Sequence, residues 1–231
     1  MSRARGPATA LALPPGLGLV HTRDVYGHLF SIYAPIGVGV LALFALAILF
    51  AVIRYRRRPP AAAARWHEND ALEGAYALLL ACVVAFLLSL TYSAEHKVDT
   101  VSAQERPALT IDVVASKWEW TFSYPAYGIT ARSGFVGHQP LVVPTGEPIR
   151  FQLSSLDVIH SFWVPELRFK RAAIPGRAQK ITLAFARPGI YPAQCAEFCG
   201  LRHAEMIFTV DAVTARRFAA SAAGGGAGPI S

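Results

Sequence analysis

Hydrophobic and polar positions fall into three regimes along the chain. Ile32 to Ile53 carries no charged residue, and neither does Gly74 to Tyr92. About 20 consecutive apolar residues cross the hydrocarbon core of a bilayer, so each run predicts a transmembrane helix. Pro35 falls near the start of the first, where a missing N–H is tolerated. Two buried core helices are the other reading, but both runs flank a basic loop. Residues 54–73 hold Arg54, Arg56, Arg57, Arg58 and Arg65 against Glu68, Asp70 and Glu73. Positive loops stay on the cytoplasmic side. The expectation is a hairpin with both termini outside, and with Tyr33, Tyr55, Trp66 and Tyr92 near the membrane interfaces.

After His96 the period changes to two. Leu109, Ile111 and Val113 alternate with other residues, as do Ile149, Phe151 and Leu153, and Ile181, Leu183 and Phe185. Such alternation marks half-buried strands. Turn signals separate them at Pro125, Pro144 to Gly146, Pro175-Gly176 and Pro188-Gly189. Many short, punctuated strands predict an all-β sandwich or Greek-key barrel. Asp211 to Ala223 reads as a short amphipathic helix, and Gly224 to Gly228 as flexible chain. At the other end, Arg3 and Arg5 precede a weakly apolar stretch, Ala8 to Val20, broken by Pro14 and Pro15. It resembles a poor signal peptide, and a loosely structured outer arm is the preferred reading. The resulting division is an arm over 1–30, a transmembrane hairpin over 31–95, an extracytoplasmic domain over 96–215 and a tail over 216–231.

Composition agrees with a chain that is partly in lipid. Hydrophobic residues are 53% and charged residues 16% of the 231, less charge than soluble domains carry. The net charge of +7 does not imply nucleic acid. Its densest cluster, Arg54 to Arg58, directly follows an apolar run, and no nucleic-acid motif is present. No internal repeat is evident, and no Cys-x-x-Cys-His motif for a covalent c-type haem occurs.

Of three cysteines, Cys82 lies in an apolar stretch and reads as a small buried hydrophobe. Cys195 and Cys199 are the informative pair. Residues 194–206 read Q-C-A-E-F-C-G-L-R-H-A-E-M, placing two thiols, His203 and Met206 within 12 residues. His160 precedes them in D-V-I-H-S-F-W, residues 157–163. Soft sulfur with imidazole suits copper, and a weak Met beside Cys and His marks a copper electron-transfer site. Two cysteines allow thiolates to bridge two ions. A disulfide is the first alternative in an oxidising compartment, but it leaves His203 and Met206 unexplained. A zinc site is the second, and it has no use for Met206.

These segments resemble subunit II of cytochrome c oxidase, the haem–copper oxidase subunit with a dinuclear copper centre (CuA). The likeness is carried by residues 157–165, Ile174 to Arg177, Arg187 to Tyr191 and the 195–206 loop. It extends over roughly 30–215. It implies a cupredoxin-like Greek-key barrel on a two-helix transmembrane hairpin, in a bacterial inner membrane. It also implies a CuA ligand set of His160, Cys195, the Glu197 carbonyl, Cys199, His203 and Met206. The Glu197 carboxylate matches a ligand for magnesium at the boundary with subunit I, a suitable oxygen donor for a hard cation. Trp118, in the aromatic segment 117–124, matches the point at which electrons enter; a strand with a packed aromatic face is the plainer reading. Glu73 matches a carboxylate at the mouth of a proton channel into subunit I, and equally suits a helix N-terminus.

The resemblance implies an oxidase that reduces oxygen in subunit I, with haems only in that partner and a donor such as cytochrome c. Two departures stand out. Residues 74–77, G-A-Y-A, replace the usual aromatic and proline after the glutamate, and Ser123 stands where an acid is common. Residues 98–231 hold 13 Lys and Arg against 10 Asp and Glu, so the expected donor is neutral or acidic, or docks through apolar contacts. A copper-containing nitric oxide reductase subunit and a copper-delivery protein are the alternatives. A quinol oxidase subunit of this fold lacks the copper ligands.

Overall fold

The computed structural model describes residues 22–56 and 69–223. They divide into two compact units, Asp24–Lys97 and the chain from Val98 onward together with the residues before Asp24.

The first unit is helical. Helix α1 spans Thr22–Tyr55 and α2 spans Asp70–Gln104, α2 running on into the second unit. Asp24 in the first turn of α1 and Arg54 in its last complement the helix dipole. Asn69 caps α2: its Oδ1 accepts from Leu72 N at 2.9 Å. Both helices are long and apolar enough to cross a membrane, and their most apolar stretches are unburied. That rules out buried core helices. Between them, Tyr33 donates its hydroxyl to Leu87 O at 2.6 Å and lies 2.5 Å from Thr91 Oγ1.

The second unit is built of ten strands: β1 Leu109–Ser116, β2 Glu119–Tyr124, β3 Ile129–Gly134, β4 Leu141–Pro144, β5 Ile149–Ser155, β6 His160–Val164, β7 Phe169–Ala173, β8 Gln179–Leu183, β9 Gly189–Cys195 and β10 Ile207–Val213. They form two five-stranded sheets, ordered β3-β2-β1-β5-β8 and β4-β10-β9-β6-β7. The pairs β1/β5 and β4/β10 are parallel, and the others antiparallel. In β1 and β5 every second residue is buried, as the alternation predicts. The inner faces meet in an aromatic core of Trp120, Phe122, Phe151, Phe162 and Phe208. Phe162 and Phe208 pack in a tilted pair with centroids 4.9 Å apart. Tyr124 is buried there too, donating to Val142 O at 2.8 Å and accepting from Val142 N at 2.9 Å. Burial pushes its hydroxyl pKa well above the ordinary tyrosine value.

Helix boundaries differ from the sequence reading in three places. Residues 22–30, assigned to the arm, are the first turns of α1. The charged segment after Tyr92 remains helical to Gln104 because its last turns are tied to the β-domain. Ser102 Oγ accepts from Thr182 N at 2.7 Å, and Asp99 pairs with Arg171. Pro107 then prevents continuation. The C-terminal helix α3 is Ala215–Ala223, since Asp211 to Val213 extend β10. Residues 216–223 are therefore helical rather than tail. Residues 1–21 of the arm, Arg57, Arg58, Arg65, Trp66 and Glu68 of the loop, and residues 224–231 lie outside the described residues.

Candidate metal centre

One end of the second sheet assembles the site. His160 opens β6 and Cys195 closes β9, and these strands pair through Phe162 and Cys195. The chain then loops over 196–206 before β10. Backbone bonds fasten the loop at its base: Cys195 N donates to Met206 O and Ala196 N to Ser161 O, each at 3.0 Å. A short 3-10 turn, His203–Glu205, follows His203 N donating to Gly200 O at 3.1 Å. Gly200 has φ +119°, and a Cβ there would meet the Trp118 indole at 3.4 Å. The backbone angle requires glycine there, and the indole lies within ordinary van der Waals reach of that position.

Side chains converge in a chain of contacts. Cys195 Sγ lies 3.9 Å from His160 Nδ1 and 3.9 Å from Cys199 Sγ. Cys199 Sγ lies 3.4 Å from His203 Nδ1 and 3.8 Å from Met206 Sδ. Cys195 Sγ is also 3.3 Å from the Glu197 carbonyl oxygen. The ligand atoms of His160, Cys195 and Cys199 all lie within 4.8 Å of one another. Both thiols are free, and they are buried together with His160 and Met206.

His160 is oriented from behind. Its Nε2 is 2.9 Å from Asp157 Oδ1, which leaves Nδ1 facing the sulfurs. Asp157 is itself fixed: Oδ1 accepts from Val158 N at 2.6 Å and Oδ2 from Lys117 N at 2.7 Å. Partial burial raises the Asp157 pKa, but bonds from His160, Val158 and Lys117 outweigh it and hold the carboxyl below the usual range. For His160, burial lowers the pKa, and Cys195 and Asp157 outweigh it upward. Burial also opposes the Cys195 thiolate, yet hydrogen bonds with His160 and around the loop bring its pKa down to about 7. Cys199 moves the other way, raised by burial and by its neighbour's negative charge. One ready thiolate beside a second, harder to ionise, is a site that a soft cation completes. Two sulfurs, two imidazoles, a thioether and a carbonyl fit copper, and the donor set is too sulfur-rich and too tightly shared to be surplus.

The structure thus gathers all five sequence-predicted side chains, with the Glu197 carbonyl turned toward Cys195. The Glu197 side chain is exposed. Trp118, half-buried, lies against the loop at Gly200. Glu73 belongs to the helical unit, in the exposed first turn of α2. In the sequence, Asp157 stands only as the first residue of the 157–163 segment around His160. Its place three residues before the strand-opening histidine was the available signal for a carboxylate behind a ligand.

A model of the family described as "Cytochrome C oxidase subunit II, periplasmic domain" matches residues 130–213. The chain is 26% identical over 206 residues to the probable cytochrome c oxidase subunit 2 of Rickettsia bellii, covering 83% of this chain and 75% of that one. It is 28% identical over 230 residues to cytochrome c oxidase subunit 2 of Schizosaccharomyces pombe, covering 90% and 89%. Its β-domain is similar to the crystal structure of the periplasmic domain of subunit II of cytochrome oxidase (CoxB) of Bradyrhizobium japonicum. That likeness has 30% identity and a TM-score of 0.50, over 52% of this chain and 95% of that one. The sulfur–imidazole cluster sits within the matched segment, and the relatives extend the match through both apolar helices. With its cupredoxin-like domain and two membrane-helix candidates, the chain belongs to the cytochrome c oxidase subunit II family, as a membrane component of a haem–copper oxidase.

Proposed function

We propose that the chain takes electrons from a periplasmic carrier such as cytochrome c at a dinuclear CuA centre and passes them to haem in subunit I. There oxygen is reduced to water and the proton gradient is fed. His160, Cys195, the Glu197 carbonyl, Cys199, His203 and Met206 hold the centre. When bound, the copper would supply a one-electron redox site at these donors. The observation that carries the reading is the cluster in which His160, Cys195, Cys199 and Met206 are buried and His203 is half-buried beside them, with Trp118 against its loop.

The protein's part is positioning. Asp157 fixes the ring of His160, the paired strands β6 and β9 fix Ser161 and Cys195, and the Cys195–Met206 backbone bond closes the loop. A frame of this kind keeps donor atoms in place when charge changes. Trp118 is the point at which electrons enter, since its indole touches the loop and part of it reaches solvent. The Glu197 carboxylate, exposed on the same loop, holds magnesium at the boundary with subunit I. Glu73 stands at the mouth of a proton channel. The hairpin is embedded with its arginine loop in the cytoplasm, so residues 96–215 and both termini lie outside. Buried ligands disfavour a copper-delivery role, which needs accessible, exchangeable donors.

Rapid mixing of the purified oxidase with reduced carrier tests this. The copper band should bleach before haem is reduced, and in Met206→Leu or Cys199→Ser the reduced carrier should fail to reduce haem while dithionite still reduces it. Haem reduction at the unaltered rate in both variants would refute the reading.

A further inference from the structure

Trp120 is the second residue of β2 and is fully buried. Its neighbours in the sheet are Ala115 of β1 and Ser133 of β3. Three aromatic rings surround its indole. Phe208 lies 5.4 Å away between centroids, Phe162 5.9 Å away in an edge-to-face pair, and His160 6.2 Å away with the rings inclined at 65°. The two phenylalanines brace the indole from the core. The third ring belongs to a proposed copper ligand.

Tryptophan at this position carries a cost. Its Nε1 is buried and has no hydrogen-bond partner among the described residues. A buried donor left unpaired lowers stability, and each such group calls for an explanation. The surrounding core positions Phe122, Phe151, Phe162 and Phe208 are filled by rings without a polar atom. Filling space therefore does not account for an indole at position 120. His160 does. The torsion that turns a histidine ring is broad and soft. The bond between Nε2 and Asp157 Oδ1, 2.9 Å long, sets the direction of the ring but not its plane. Trp120 packs against the ring itself, and edge-to-face packing restrains the angle between two planes.

We infer that Trp120 is a positioning residue for His160. Its indole, braced by Phe162 and Phe208, fixes the plane of the imidazole whose direction Asp157 fixes, so that Nδ1 faces Cys195 before any metal arrives. This deepens the copper-centre reading and rests on it for its purpose, while the packing belongs to the metal-free chain. A ligand that need not be reoriented binds its metal more tightly, and groups that orient metal-bound histidines contribute about 10- to 100-fold to affinity.

The test uses the full chain, purified in detergent with isotope-labelled histidine. NMR relaxation dispersion on the metal-free protein reads ring motion between microseconds and milliseconds. The wild-type His160 ring should show none. Trp120→Phe should introduce it, and Phe122→Leu, another loss of core volume two residues along β2, should not. Copper retention against a chelator should fall about tenfold in Trp120→Phe and change less than about threefold in Phe122→Leu. Pulsed electron paramagnetic resonance of the copper-loaded chain should show one histidine nitrogen coupling broadened by Trp120→Phe and the other unchanged. A wild-type His160 ring that already moves on this timescale would overturn the inference without recourse to any variant. So would a Trp120→Phe chain with wild-type ring dynamics and copper retention, or equal copper loss in both variants, which is what a merely structural role predicts. The electron-input reading fails separately: a wild-type chain whose His160 ring is fixed by Trp120, but whose copper takes no electron from a reduced carrier, refutes that reading and leaves the positioning role in place.

Discussion

Phe44 and Phe151 are the same side chain put to opposite uses. Phe44 in α1 is 62% accessible, and Phe151 in β5 is 0% accessible. The helices satisfy every backbone group internally, as membrane spans require, and turn their apolar side chains outward. The β-domain does the reverse, pairing its backbone across strands and turning its aromatic residues inward. Only the second arrangement makes a rigid interior, and the sulfur–imidazole cluster is attached to it. The helices anchor, and the packed sheets hold ligand geometry.

Breaking the cluster has the largest expected effect. Cys199→Ser removes the sulfur that faces Cys195, His203 and Met206 together. The dinuclear spectrum should vanish entirely while circular dichroism of the chain stays unchanged. Loss of secondary structure along with it would mean that the cysteine serves the fold.

Next comes the contrast between the two phenylalanines. Phe151→Ala should destabilise the β-domain by about 3–5 kcal/mol, through lost transfer energy and the cavity left behind. Phe44→Ala should cost under about 0.5 kcal/mol, as surface substitutions do. Denaturant unfolding followed by tryptophan fluorescence reads the first, and unfolding in detergent reads the second. Equal costs would erase the distinction.

A smaller effect concerns pH. Cys195 has its folded pKa lowered from 9.0 to about 7. Its thiolate therefore stabilises the metal-free fold fully above pH 9, and this contribution is lost as pH falls through about 7. Copper uptake needs the thiolate, so loading should be about tenfold slower at pH 6 than at pH 8, measured by stopped-flow absorbance. A flat profile would place the reactive thiol elsewhere. The smallest effect is Tyr33→Phe, which removes the hydroxyl bonded to Leu87 O. Interhelical bonds of this kind average about 0.6 kcal/mol, readable as a slight loss of resistance to unfolding in detergent.

How much of this was legible depended on whether one face of an element meets solvent. Both spans showed in the sequence because lipid demands an unbroken apolar run. Strands β1 and β5 showed because one face is buried and the other wet, and β8 because its apolar residues alternate with others in the sequence although Thr182 between them is buried too. Strand β4 did not, since Leu141, Val142 and Val143 are all buried and a continuous apolar run has no period. Strand β9 did not either, with Gly189 and Pro192 inside it. The metal site was readable because its donors are chemically rare and four of them share one loop. The ties behind it were not: Asp157 to Lys117 and Gly200 to Trp118 are contacts between distant segments that only folding brings together, as is Ser102 to Thr182 at the end of α2.

Copper content and electron paramagnetic resonance of the full chain, purified in detergent and loaded with copper, test the central claim most directly. The account predicts two coppers per chain sharing one unpaired electron. One copper with a mononuclear spectrum, or no copper and a Cys195–Cys199 disulfide, would contradict it.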